Sequence, residues 1–334
     1  MVHLPTIVLY ALAFAGLAGA SRVRSSGRRG LKARQDADDE KPPSEKNFAL
    51  QDKYQGAKFF DGWDFFDKDD PTHGSVNYQS REDALAKGLA KEDDDVVVLS
   101  VDDTTALPVG KKRDSVRLSS KKKYNGGLFI ADFKAMPVGC SVWPAWWSVG
   151  PNWPSGGEID VLEGVHNQET NQYTLHTGEG CTLDSAVKTT GKAMGTNCVT
   201  SGGDNTGCAF RDTDARSYGK GFNAAGGGVF VHLWDSTGIK MWHFARDEIP
   251  KDITAEKPDP SSWPTPAATF SASTCNVGEH FHDHVLTLDT TLCGDWAGAT
   301  YQSAGCPGTC AEAVADPKNF VDAKWKINYI AVYS

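Results

Sequence analysis

Short runs of β-branched and aromatic residues recur along this chain at 96–101, 115–119, 127–133, 157–163, 172–176, 229–234, 239–244, 284–288 and 325–332, with glycine, proline and aspartate clusters between them. Runs this short, bounded by turn formers, read as strands, and strands bury their apolar faces by stacking sheets. The pattern predicts an all-β chain built as an antiparallel sandwich. A short helix is expected at 83–91, and surface loops fall in the charged stretch 92–123. No internal repeat is present.

The ends of the 334-residue chain are read separately from this pattern. Residues 4–20 are apolar but too short to span a bilayer comfortably, and they close on Ala18-Gly19-Ala20, a small-x-small cleavage pattern. Residues 1–20 therefore read as a signal peptide. Residues 21–47 switch from basic, between Arg22 and Arg34, to acidic, between Asp36 and Glu45, and hold too little apolar surface to pack. They read as a propeptide or disordered leader, with Arg28-Arg29 as a possible dibasic processing site. Residues 48–334 remain as one domain, large enough for a substantial core. No later segment is apolar for 18 residues, and the final residues read as a last strand rather than a lipid-anchor signal. The expectation is a secreted, extracellular protein with no membrane partner.

All eight cysteines lie between Cys140 and Cys310. An even number in a secreted chain implies up to four disulfides, in any of 105 pairings. Cys306 and Cys310 have a spacing that could serve zinc, but no histidine lies near them, and disulfides are the expectation.

The segment Gly156-Gly157-Glu158-Ile159-Asp160-Val161-Leu162-Glu163-Gly164 sets three carboxylates among Ile, Val and Leu. Apolar neighbours of this kind resist a calcium loop. Side chains alternate along a strand, so Glu158 and Asp160 share a face while Glu163 should point the other way. A one-residue bulge near Val161 or Leu162 would return Glu163 to that face, and bulges of this kind are frequent beside active sites. Like charges on one face raise one another's pKa, which keeps a general acid protonated near neutrality. The chemistry suggested is glycoside hydrolysis by a carboxylate pair, at a separation of ~5–5.5 Å for retention of configuration.

Net charge −9 argues against a nucleic-acid partner. A neutral polysaccharide makes no demand for a basic surface, and ten tryptophans offer platforms for sugar faces. Adjacent Trp146 and Trp147 must point to opposite sides of a strand, one into the core and one outward.

Glu158-Ile159-Asp160-Val161-Leu162-Glu163 resembles the E-[ILV]-D-x-x-E signature of glycoside hydrolase family 16, in its bulged laminarinase form. The blocks Tyr124-Asn125-Gly126-Gly127-Leu128-Phe129, Trp143-Pro144-Ala145-Trp146-Trp147-Ser148, Thr174-Leu175-His176-Thr177 and Cys293-Gly294-Asp295-Trp296 are similar to those of secreted fungal endo-β-1,3(4)-glucanases. The similarity runs from about Tyr54 to the C-terminus. It implies a concanavalin A-like β-jelly-roll of two curved antiparallel sheets with an open cleft. By the same resemblance Glu158 is the nucleophile, Glu163 the acid/base and Asp160 their partner. Trp146 and Trp153 are implied as substrate platforms, and His176 as a contact to substrate or to the carboxylates. No cofactor and no metal are implied. The implied partner is a β-glucan, and a monomer is expected. A glucan transglycosylase would use the same carboxylates, whereas a non-catalytic glucan-binding protein would typically lack one or both. Two features depart from the family pattern: the acidic 91–95 stretch and Leu233, where relatives often carry an acid. There is no Asn-x-Ser/Thr sequon.

Overall fold

A computed structural model describes residues 48–334, which fall in one compact unit. The expected signal peptide and leader lie outside the described residues. Two eight-stranded antiparallel sheets stack face to face. One runs Ala268–Ser271, Gly238–Ala245, Gly228–Asp235, Gly127–Ala135, Lys324–Tyr333, Val96–Ser100 and Ala90–Asp93 in spatial order, with Leu50–Tyr54 also paired to Lys324–Tyr333. The other runs Lys192–Gly195, Cys208–Arg211, Gln172–His176, Glu158–Glu163, Val142–Val149, Val285–Leu292, Arg117–Ser120 and Trp63–Phe65.

The core lies between the sheets, where Phe133 meets Trp325 at 4.9 Å and Trp146 at 6.2 Å between ring centroids. A second apolar cluster covers the outer face of the first sheet. There Val229, Val231, Trp242 and Phe244 pack under Ile253 and Trp263. Leu233 packs against this cluster, so an apolar residue fits there on packing grounds alone.

The expected helix forms earlier, at Arg81–Ala86, because the Ser80 side chain accepts from the Asp83 N–H and caps it. The acidic stretch is the turn of a hairpin that pairs Ala90–Asp93 with Val96–Ser100. Asp94 and Asp95 both take positive φ there, at 51° and 63°, a conformation aspartate tolerates in tight hairpins. The strand Val142–Val149, of which the sequence reading has only Trp146 and Trp147 as strand positions, contains Pro144, a residue that cannot donate to a ladder. Its ladder with Glu158–Glu163 begins only at Ala145, so Pro144 lies beyond that pairing. No described helix is long and apolar enough to cross a membrane.

Candidate active site

In the ladder between Val142–Val149 and Glu158–Glu163, Asp160 pairs with Trp147 and Leu162 pairs with Trp146, so Val161 has no partner of its own. On the other edge Asp160 pairs with Thr174 and Glu163 with Gln172, again one residue out of step. This is the expected bulge. Its backbone groups are satisfied by one buried side chain: Asn171 Nδ2 donates to Val161 O at 2.8 Å, and Asn171 Oδ1 accepts from Glu163 N at 3.0 Å. Glu158, Asp160 and Glu163 consequently share the outer face of the second sheet, while Ile159 and Leu162 enter the core.

Burial is the main force on all three acids. It pushes the Glu158 carboxyl up to about 7, although the Trp153 indole N–H and the Asp160 carboxyl, both bonded to it, pull the other way. Glu163 is pushed up to about 8, with the Trp143 Nε1–H at 2.9 Å opposing burial and the charges of Glu158 and Asp289 adding to it. Asp160, only 2% exposed, has its carboxyl raised well above its usual value by burial and then by its two glutamate neighbours. Both causes favour its protonated form, in which it can donate a hydrogen bond to Glu158. His176 pairs with Glu158 across the ladder, and its Nε2 lies 3.5 Å from Asp160 Oδ2. Burial lowers its pKa to about 4, so the ring is neutral at ordinary pH.

The two tryptophans assigned to substrate separate. Trp153 is 45% exposed beside Glu158 and 6.5 Å from the His176 ring. Trp146 is corrected: at 1% exposure it is a core residue, because its register with Leu162 turns it inward. Trp147, in register with Asp160 and Thr287, takes the outer face in its place. Cys306 and Cys310 belong to different disulfides, Cys140–Cys306 and Cys293–Cys310; the other pairs are Cys181–Cys275 and Cys198–Cys208. Among the described residues no group of three or more His, Cys, Asp or Glu is placed to hold a metal ion.

Sequence reading missed Asn171, Trp143 and Asp289. Asp289 pairs with Ala145, and Ala145 pairs with Glu163, so a fourth carboxylate sits two strands away, with only the Ala145 methyl between. Burial pushes Asp289 up to about 6, against the attraction of Arg117, whose guanidinium is 3.7 Å away. Arg117 is itself held between the Phe66 and Trp147 rings at 4.8 and 5.0 Å. The available signal was a lone acid in the Thr-rich Val285–Leu292 strand. Of the Asp295-Trp296 pair, Trp296 packs edge-on to Trp143 at 5.6 Å.

The XgeA-like, catalytic GH16 domain matches residues 63–333. An endo-1,3(4)-beta-glucanase of Arthroderma benhamiae is 40% identical over 297 residues, which cover 86% of this chain and 65% of that protein. The chain thus spans about two thirds of that relative's length. Laminarinase 16A of Phanerochaete chrysosporium, solved with two β-glucans in donor and acceptor sites, is 39% identical with a TM-score of 0.83. An elongating GH family 16 beta-1,3-glucosyltransferase is 42% identical with a TM-score of 0.82. Each of these two matches covers 86% of this chain and 100% of the solved one. The stacked antiparallel sheets form a β jelly roll, and the chain belongs to glycoside hydrolase family 16.

Proposed function

We propose that this glycoside hydrolase cuts internal linkages of β-1,3- and mixed-linkage β-1,3(1,4)-glucans with retention of configuration. The observation that carries the reading is the bulge, which sets Glu158 and Glu163 on one face with carboxyls near 7 and 8. One of them can be ionised while the other is protonated. Glu158, held by the Trp153 N–H and the Asp160 proton, attacks the anomeric carbon as Glu163 gives its proton to the departing glucosyl oxygen. The glycosyl ester of Glu158 is then opened by water, whose proton returns to Glu163. Glu158 is regenerated as the anion. Trp153, exposed beside the nucleophile, offers a face to a sugar ring, and Trp147 offers another beside Asp160. No cofactor enters this sequence.

The glucanase activity of the Arthroderma benhamiae relative and the β-glucans bound by the laminarinase neighbour support this choice of substrate. Four disulfides suit an oxidising, extracellular setting. The protein acts there as a monomer on neutral polysaccharide. The test is release of reducing ends from laminarin, lichenan and cellulose by the wild type, Glu158→Gln and Glu163→Gln. Cutting of the first two substrates, with a loss on the order of 10⁴-fold or more in the variants, is the expected result. Silence on all three, with laminarin still bound, would replace the reading with that of a binding protein.

A second reading is glucan elongation, favoured by the similarity to the β-1,3-glucosyltransferase. It uses the same ester but passes the glycosyl unit to a sugar hydroxyl instead of water. Product chains longer than the substrate, formed in the presence of acceptor oligosaccharides, would establish it.

A further inference from the structure

Asp160 Oδ2 is buried and has no hydrogen-bond donor among the described residues. The polar atom facing it is His176 Nε2, 3.5 Å away, at the outer limit of a hydrogen bond. The opposite ring nitrogen, Nδ1, lies 3.1 Å from the Thr200 hydroxyl. A neutral imidazole carries a single N–H. With the proton on Nδ1, a lone pair would face the Asp160 oxygen. With the proton on Nε2 and the Thr200 hydroxyl donating to Nδ1, both ends are matched.

We propose that Thr200 is a positioning residue: its hydroxyl holds the His176 ring in the Nε2–H tautomer, and the ring presents that N–H to Asp160 beside the nucleophile. The proposal rests on the carboxylate mechanism proposed for this site. The chain around Thr200 is built to hold it in place. Thr200 N donates to Thr177 O at 2.9 Å, Thr177 N donates to Cys198 O at 2.9 Å, and Cys198 is tied by a disulfide to Cys208, which pairs with Leu175 on the strand that carries His176. Gly207, at φ +66°, passes so close to the ring that a Cβ there would lie 2.9 Å from His176 Nδ1 and from the adjacent ring carbon. The Nδ1 edge of the ring is thus both crowded by the Gly207 backbone and tethered by the hydroxyl.

The consequence reaches Glu158 through one proton. When His176 donates to Oδ2, the other oxygen of Asp160 carries the proton offered to Glu158. Without that N–H, Oδ2 becomes the better site for the proton, and Glu158 loses a donor that favours its ionised form. The other charged groups acting on Asp160 and Glu158 are Glu163 on their own strand, and Asp289 and Arg117 from strands beyond Val142–Val149; Asp204 acts on His176. These stay unchanged in the test.

The test compares full-length wild type, Thr200→Val and Thr200→Ser by kcat and KM on laminarin across pH, and by ¹⁵N NMR of the His176 ring. Expected are an Nε2–H ring in the wild type and loss of the single tautomer in Thr200→Val. On the acidic side of the optimum kcat of Thr200→Val should fall about tenfold, as for one lost hydrogen bond, with KM within about twofold. The acidic limb of its profile should move to higher pH, and Thr200→Ser should match the wild type. A wild-type Nδ1–H ring, an unmoved limb, or equal losses in the Val and Ser variants would each overturn the proposal. If the wild type does not cut laminarin, the mechanism fails on its own account, and the NMR spectra still decide the tautomer.

Discussion

Each of the two glutamates proposed as catalytic receives one indole N–H, Glu158 from Trp153 and Glu163 from Trp143, and this opposes the rise that burial causes. An N–H directed at a carboxylate favours the charged form, so losing it raises the pKa further. In the proposed mechanism Glu158 must be ionised to attack, and burial already pushes its carboxyl up to about 7. Trp153→Phe therefore shifts the acidic limb of the kcat/KM profile to higher pH. The loss is about tenfold below the limb and smaller above it, read from rates on laminarin between pH 4 and 9. Asp289 works in the opposite sense on Glu163, since its charge across Ala145 helps keep that proton in place. Sequence shows Asp289 only as a lone acid in a Thr-rich strand, and its nearness to Glu163 is not legible there because the two are joined only through the register of three strands.

At the scale of the strand, the bulge aligns the acids and Asn171 holds the bulge. Its amide satisfies two backbone groups that the extra residue takes out of the ladder. Asn171→Ala leaves both buried and unpaired, at a cost of about 1–3 kcal/mol for each. The expected outcome is a lower denaturant midpoint together with a loss of kcat beyond tenfold, because Glu163 is free to turn. Unchanged kcat at reduced stability would show that the bulge holds its shape without the clamp. The bulge itself was legible in the hexad: five positions separate two acids that period two would send to opposite faces, and Ile159 and Leu162 need the core. Which tryptophan of the pair faces out was not legible. Alternation says only that Trp146 and Trp147 differ. The choice depends on pairing with Leu162 and Asp160, which lie on another strand. The extent of the Val142–Val149 strand around Pro144 was not legible either, although Trp146 and Trp147 read as strand positions, since a proline's tolerance depends on where a neighbour's ladder begins.

Over the whole molecule, the sandwich places the acids on an outer sheet face, and the disulfides close the loops at its rim. Cys140 and Cys306 are 166 residues apart in sequence, so their bridge restrains the unfolded chain strongly. Loop-closure entropy for such a span is on the order of 5 kcal/mol. The Cys140→Ser/Cys306→Ser double variant should lose several kcal/mol in guanidinium unfolding yet keep its activity at low temperature, because neither cysteine touches the carboxylates. The central claim is that two carboxylates on one bulged strand act in double displacement, and the anomeric form of the first product decides it. Proton NMR of laminarin digests, recorded before mutarotation, should show the β-anomer appearing first. The α-anomer appearing first would mean inversion, and the assignment of Glu158 as nucleophile would be wrong.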